Sequence, residues 1–119
     1  MSRVLVVDDE PDLRFLLRRA LERAGYEVTD AHQGATAMAV AHDSPPDLVV
    51  TDMMMPVMGG VELIERLHTD PVTAAIPIVA VSGDTHLATE ADAVLRKPFS
   101  PEQLVAVCDA LLTDKGSRS

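Results

Sequence analysis

The chain has 119 residues, a formal net charge of −9 and one cysteine. A chain of this length can bury one complete hydrophobic core, so we expect one domain. The acidic excess works against direct binding to nucleic acid or to an anionic membrane, because phosphate contacts need a surplus of Lys and Arg. One cysteine excludes an internal disulfide and a Cys-based zinc site.

The N-terminal segment is the first candidate for a targeting signal. Its apolar run, Val4–Val7, is followed at once by two acidic residues, Asp8 and Asp9. That run is too short for a signal peptide or a membrane-spanning helix. We therefore expect a cytoplasmic protein with no membrane contact.

The first half of the chain predicts strands and helices in alternation. Val4–Val7 is typical of a strand buried on both faces. Pro11 suits the first turn of a helix, whose apolar residues recur at helical spacing as far as Gly25. The next strand and helix are predicted at Tyr26–Ala31 and Ala35–His42.

The second half continues the alternation. Asp47–Thr51 predicts a buried strand that stops at Asp52, and Pro101 opens the last helix. Between them lie a predicted helix and two predicted strands, at Val61–His68, at Ile76–Ser82 and around Val94 and Leu95. This order predicts an α/β fold of the flavodoxin-like type: a doubly wound parallel sheet of five strands in the order 2-1-3-4-5, with helices on both faces. We expect the domain to span residues 1–113, followed by a polar tail at 114–119.

The connection between the fourth and fifth strands is unusually short. Nine residues, "GDTHLATEA", separate Ser82 from Asp92, whereas a full crossover with its helix needs at least about 10–12 residues. The fourth helix is therefore expected to be shortened or absent, with one or two helical turns near Thr85–Glu90 or an irregular loop. The thinly covered side of the sheet is a candidate surface for a partner or for a homodimer.

Polar residues follow four of the predicted strands. The carboxyl ends of parallel strands meet at one edge, and ligands of such sheets bind there. Three carboxylates at that edge would repel one another unless a cation neutralises them, and one ammonium group is not enough. Hard oxygen ligands at an open site favour Mg²⁺. The residues predicted to meet are Asp8, Asp9, Asp52, Ser82 and Lys97.

This set of residues suits phosphoryl transfer to a carboxylate, which needs positioning and charge neutralisation rather than a strong base. Asp8 and Asp9 would hold the metal, and Asp52 would be the nucleophile. The Lys97 ammonium would pair with one phosphoryl oxygen, and the Ser82 hydroxyl would donate a hydrogen bond to another.

Four segments, "VLVVDDEP", "DLVVTDMMMPVMGGVEL", "IPIVAVSG" and "LRKPF", resemble the receiver domain of two-component response regulators, with matches from Arg3 to about Leu112. The resemblance implies that a sensor histidine kinase or a phosphotransfer protein passes a phosphoryl group to Asp52, and that a downstream protein reads the result. It also implies a signalling protein and not a turnover enzyme.

The resemblance assigns further roles. The backbone carbonyl of Met54 is expected to complete the metal site, Ser82 to act as the hydroxyl switch, and a cis bond before Pro98 to direct Lys97 inward. Most receivers carry an aromatic residue where this chain has Val94. The usual aromatic switch therefore cannot operate in its usual form.

Three other functions are alternatives to this one. An aspartate-nucleophile phosphatase of the haloacid dehalogenase type would need an acid where Met54 stands, and a flavin-binding protein would need a loop after the first strand that holds phosphate, not the acidic "DDEPD". A phosphorylation-independent pseudo-receiver that acts as an interaction module remains an alternative. We expect either a stand-alone receiver or part of a larger protein, since no effector domain follows Leu112.

Overall fold

The structure, a computed structural model, describes residues 2–55, 58–83 and 90–117, with the backbone alone for 114–117. Strands and helices alternate through most of the chain, as the sequence predicts. The strands are β1 (Arg3–Val7), β2 (Glu27–Ala31), β3 (Leu48–Asp52), β4 (Ile78–Ser82) and β5 (Ala93–Arg96). Among the described residues the helices are α1 (Pro11–Arg23), α2 (Gly34–Asp43), α3 (Gly60–Thr69) and α4 (Pro101–Ser117).

The five strands form one parallel sheet in the order β2-β1-β3-β4-β5. The predicted fold class and strand order are confirmed. The register aligns Val7 with Thr51, and Asp52 with Val81, so that β1, β3 and β4 end close together. The site residues that follow these strands therefore share one edge of the sheet.

Two hydrophobic cores cover the two faces of the sheet. Successive side chains of β1 alternate between them, because neighbouring residues of a strand point to opposite faces. Leu5 and Val7 pack on the face covered by α2 and α3, whereas Val4 and Val6 pack on the face covered by α1 and α4. A strand with apolar residues at every position is what two covered faces require.

The start of α3 packs tightly against the end of β3. Gly60 donates its N–H to the carbonyl of Met53 at 3.2 Å. A Cβ atom on Gly60 would lie 2.6 Å from Met53 Cα and 2.8 Å from the carbonyl oxygen of Asp52, whereas one on Gly59 would find its nearest neighbour at 3.8 Å. Of these two glycines, packing requires only Gly60. The absence of a side chain at Gly60 lets the helix begin directly beside Asp52.

Helix α4 continues to Ser117, so the backbone of residues 114–117, within the predicted polar tail, is helical. The predicted turns near Thr85–Glu90 lie, apart from Glu90, outside the described residues. The Lys97–Pro98 peptide bond is cis, as the resemblance implies.

Within the described part of the chain, no helix combines the length and the apolar character needed to cross a membrane.

Candidate functional site

The polar residues predicted to meet do lie at the carboxyl edge of the sheet. Asp8 follows β1, Asp52 and Ser82 are the last residues of β3 and β4, and Lys97 follows β5. Asp8, Asp52 and Ser82 are almost completely buried, with exposed fractions of 0%, 5% and 1%. The neighbouring Asp9 is exposed. The site thus has a buried polar floor and one acidic residue at its rim.

The three carboxylates form a cluster that suits a metal ion. Asp8, Asp9 and Asp52 each offer one oxygen, and these oxygens lie within 4.8 Å of one another. Oδ1 of Asp8 accepts the N–H of Glu10 at 2.9 Å. Oδ2 of Asp8 is buried and, among the described residues, has no hydrogen-bond partner. A buried oxygen costs free energy unless something satisfies it, and a hard divalent cation such as Mg²⁺ would do so.

The electrostatics of Asp8 agree with this fit. Burial raises the pKa of Asp8 to about 6, and the Glu10 N–H opposes the rise. The negative charges of Asp52 and Asp9 raise the pKa further, while the positive charge of Lys97 lowers it. The cluster therefore carries more negative charge than Lys97 compensates, as the count of charges in the sequence indicates.

The Asp52 carboxylate is held by two donors. Lys97 Nζ lies 3.3 Å from Oδ1 of Asp52, and the N–H of Met54 donates to the same oxygen at 3.3 Å. The backbone around Asp52 is fixed as well, because Thr51 Oγ1 donates to the Asp52 carbonyl at 2.9 Å and the Met53 N–H donates to Val81 at 3.1 Å. Asp52 is a rigidly placed carboxylate beside a cation.

Met54 contributes its backbone rather than its side chain. The side chain is 67% exposed, while its N–H contacts Asp52. A metal contact from the Met54 carbonyl stays a prediction. The neighbouring Met53 is buried in the core, so the methionines after the strand divide between packing and surface.

The two residues predicted to form the switch lie at different levels of the sheet. Ser82 is buried at the carboxyl end of β4, and its carbonyl accepts the N–H of Lys97 at 3.0 Å. Val94 lies lower on the edge strand β5, in register with Ala80, and is 38% exposed. The structure therefore brings Ser82 to the site but leaves Val94 on the partly open edge of the sheet.

Arg14 on α1 also contacts the site, although none of the sequence motifs includes it. The Arg14 guanidinium donates from Nη1 to the carbonyl of Asp8 at 2.8 Å, and its side chain is only 21% exposed. The direction of helical side chains could have revealed this contact, because they point toward the helix N-terminus and, in α1, toward the end of β1.

An apolar surface on α1 and α4 borders the site. Phe15 and Leu16 are 57% and 62% exposed. Leu16 lines a groove of about 350 Å³ that reaches Lys97, and it also lines a neighbouring groove between α1 and α4. Large exposed apolar side chains beside a polar site are typical of a surface that contacts another protein.

Comparison with known proteins places this geometry in a family. A sequence model described as "Response regulator receiver domain" matches residues 4–109. The phosphate regulon transcriptional regulatory protein PhoB of Pseudomonas aeruginosa is 40% identical over 120 residues, which cover 95% of this chain and 52% of that protein. The sensor histidine kinase TmoS of Ectopseudomonas mendocina is 37% identical over 95% of this chain and 12% of its own length.

Solved structures agree in fold. The chemotaxis response regulator CheY4 of Vibrio cholerae superposes with a TM-score of 0.87 at 32% identity, over 92% of this chain and 98% of that chain. The chain spans about half the length of the transcriptional regulator that it matches, so the likeness concerns one domain of that protein. The family match and the shared fold lead to one conclusion: the chain belongs to the response regulator receiver domain family.

Proposed function

We propose that this receiver accepts a phosphoryl group on Asp52 from the phosphohistidine of a sensor kinase or phosphotransfer protein, and passes the signal on by a change of conformation. The observation that carries the proposal is the placement of Asp52. It is nearly buried at the end of β3, with a cation 3.3 Å from Oδ1 and two further carboxylates within 4.8 Å. No ordinary helix cap or turn needs such a combination.

The residues around Asp52 would have two roles, metal binding and stabilisation of the phosphoryl charge. Asp8, Asp9, Asp52 and the carbonyl of Met54 would hold Mg²⁺, which would neutralise charge on the phosphoryl oxygens. Lys97 would move from the Asp52 carboxylate to a phosphoryl oxygen. Its side chain is 34% exposed, which leaves it room to do so.

Transfer of the phosphoryl group to Asp52 needs no reactant besides the phosphohistidine donor. An oxygen of the Asp52 carboxylate forms a bond to phosphorus while the P–N bond of the donor breaks, and the electrons of that bond stay with the imidazole nitrogen. The product is an acyl phosphate on Asp52. Repeated turnover on external phosphate esters would need an acid two positions after the nucleophile, where this chain has Met54. The proposed role is thus that of an acceptor and not of a turnover enzyme.

Signal output would depend on Ser82. Ser82 ends β4, the strand beside β3, and its hydroxyl would donate to the new phosphoryl group, which would pull the end of β4 toward β3. Val94 is too small to repeat the movement of an aromatic ring. We therefore propose that the surface changes at the end of β4, and that a downstream protein or a second copy of the chain binds there.

The donor protein would approach from the side of α1. A phosphohistidine must come within bonding distance of Asp52, and the groove bordered by Leu16 and Phe99 leads to Lys97. The exposed Phe15 lies beside that groove, with the Arg19 guanidinium 5.8 Å from the centre of its ring. An apolar patch with a cationic rim suits a helix of an acidic partner. A cytoplasmic location is part of this proposal.

The test is intact mass spectrometry after incubation with Mg²⁺ and acetyl phosphate. We expect one phosphoryl group on the wild-type protein, and none on Asp52→Asn or in the presence of EDTA. Asp47→Asn is a matched control, since Asp47 precedes β3 at the opposite end of the strand and should leave the modification intact. If neither acetyl phosphate nor a phosphoramidate modifies the wild-type protein, the pseudo-receiver alternative is correct.

A further inference from the structure

Arg14 connects the acidic loop after β1 to the outer strand β2. Nη1 of Arg14 donates to the carbonyl of Asp8 at 2.8 Å, and Nε lies 3.5 Å from Oδ2 of Asp30. Asp30 belongs to β2 and also contacts Nη1 of Arg18 at 3.4 Å. One guanidinium therefore joins a metal-site residue to a carboxylate outside the site.

Hydrogen bonds hold the peptide units on both sides of Asp8. The N–H of Asp8 donates to the carbonyl of Ala31 at 3.1 Å, and the carbonyl of Asp8 accepts from Arg14. With the backbone held on both sides, and Oδ1 held by the Glu10 N–H at 2.9 Å, the direction of Oδ2 is set. Oδ2 is the buried oxygen that lacks a partner among the described residues.

Arg14 acts on the backbone rather than on the carboxylate. The charged groups that shift the pKa of Asp8 are Asp52, Lys97 and Asp9. A planar guanidinium donates in two directions at once, and this geometry suits it to hold a carbonyl and a carboxylate together. Lysine, with one compact ammonium, would hold only one of them well.

We infer that Arg14 is a positioning residue that orients the Asp8–Asp9 loop for a divalent cation, with Asp30 as its anchor. The inference rests on the proposed function, because it assumes that Mg²⁺ binds at the acidic cluster. Residues that orient metal ligands without touching the metal commonly change metal affinity by about 10–100-fold when they are replaced. Arg14 differs from most of them in acting through a backbone carbonyl.

The test compares Mg²⁺ affinity with folding stability. Isothermal titration calorimetry gives the dissociation constant for Mg²⁺, and urea unfolding in EDTA gives the free energy of unfolding. We expect Arg14→Ala to weaken Mg²⁺ binding about 10-fold and Asp30→Ala to weaken it by a smaller factor, with Arg14→Lys between wild type and Arg14→Ala. The control Arg18→Ala removes the other partner of Asp30, has no contact with Asp8 among those described, and should stay within about twofold of wild type.

A second readout needs no metal. In the metal-free protein, the amide NMR signals of Asp9 and Glu10 should shift in Arg14→Ala and Asp30→Ala, and stay in place in Arg18→Ala. If wild type binds Mg²⁺ and Arg14→Ala binds it equally well, Arg14 has a merely structural role and the inference is wrong, while the proposed function stands. If wild type itself does not bind Mg²⁺, the proposed metal site fails instead. Should Arg14→Ala not fold, Asp30→Ala decides, since unchanged affinity in that variant overturns the inference.

Discussion

Lys97 crosses the end of β4 to reach Asp52, which lies 45 positions earlier in the chain and two strands away in the sheet. The two partners of this ion pair differ in their surroundings. The Asp52 side chain is 6% exposed, whereas that of Lys97 is 34% exposed. The carboxylate is buried whereas the ammonium borders solvent, an arrangement that would let Lys97 turn toward an incoming phosphoryl group.

Replacement of Lys97 tests this asymmetry. We expect Lys97→Met to lower the rate of Asp52 phosphorylation by acetyl phosphate about 100-fold, because a preorganised cation beside the developing charge is lost. The rate is measured by intact mass at successive times. Arg96→Met is the matched control, since Arg96 carries the same charge on the preceding, exposed residue of β5. Equal rates for Lys97→Met and wild type would remove Lys97 from the reaction.

Asp8 should destabilise the metal-free protein at neutral pH. Its pKa rises from 3.8 to about 6 on folding, so the folded state binds the proton more tightly than the unfolded state. The stability that the proton provides is complete below pH 3.8 and is lost as the pH rises through 6. Asp8→Asn avoids this loss, and in EDTA at neutral pH we expect it to be more stable than wild type by about 1–3 kcal/mol.

Urea unfolding at several pH values measures this effect. The advantage of Asp8→Asn should grow between pH 4 and pH 6 and then stay constant, and excess Mg²⁺ should reverse it by stabilising wild type alone. Asp9→Asn is the control, because Asp9 is exposed and its replacement should change stability by less than about 0.5 kcal/mol. A metal-free Asp8→Asn protein less stable than wild type at neutral pH would contradict the prediction.

The two adjacent glycines at the start of α3 should respond differently to the same substitution. Gly60→Ala places a methyl group 2.6 Å from Met53 Cα, and backbone atoms cannot yield as side chains do. We expect a loss of at least about 2 kcal/mol in the free energy of unfolding. Gly59→Ala meets nothing closer than 3.8 Å and should cost less than about 1 kcal/mol. Similar losses in both variants would show that helix capping, not packing, decides the outcome.

The exposed apolar residues of α1 should matter for a protein donor and not for a small one. We expect Phe15→Ala and Leu16→Ala to raise the KM for a sensor kinase core about 10-fold, since exposed aromatic and aliphatic anchors dominate such contacts. Phosphorylation by acetyl phosphate should be unchanged. The kinase for this test is chosen from a panel of purified sensor kinases as the one that phosphorylates the wild-type protein fastest. Val72→Ala is the control, because Val72 is also exposed but lies outside α1 and the groove. A loss with both donors would mean that the variants damage the fold.

Much of the fold was predictable because β1, β3 and β4 are short, mainly apolar runs that stop at or just before a polar residue. The alternation of strands and helices restricts the topology strongly, and the carboxyl ends of parallel strands share one edge. The sequence therefore predicts that Asp8, Asp52 and Lys97 belong to one site. A cluster of acids with one lysine then predicts that the site binds a metal ion and accepts a phosphoryl group.

Other features depend on contacts that local patterns do not contain. Arg14 has the spacing of a surface residue, and only the position of Asp8 and Asp30 relative to α1 shows that it is half-buried. The extension of α4 to Ser117 was missed for a different reason. Polar residues and a glycine near a chain end indicate fraying when they are considered alone, and the sequence does not show what continues the helix.

The bridge from Arg14 to Asp30 has a consequence for how such a domain can change over time. The bridge links the outer strand β2 to the carboxylate cluster, and Lys97, which follows β5, links the other outer strand to it. These two strands lie about 19 Å apart, across four strand spacings. In many open sheets a border strand can be lost or exchanged at a cost in stability alone. With the roles proposed for Arg14 and Lys97, trimming either border would remove a group that the reaction uses, so natural variation should accumulate in the crossover segments while the sheet keeps its full width.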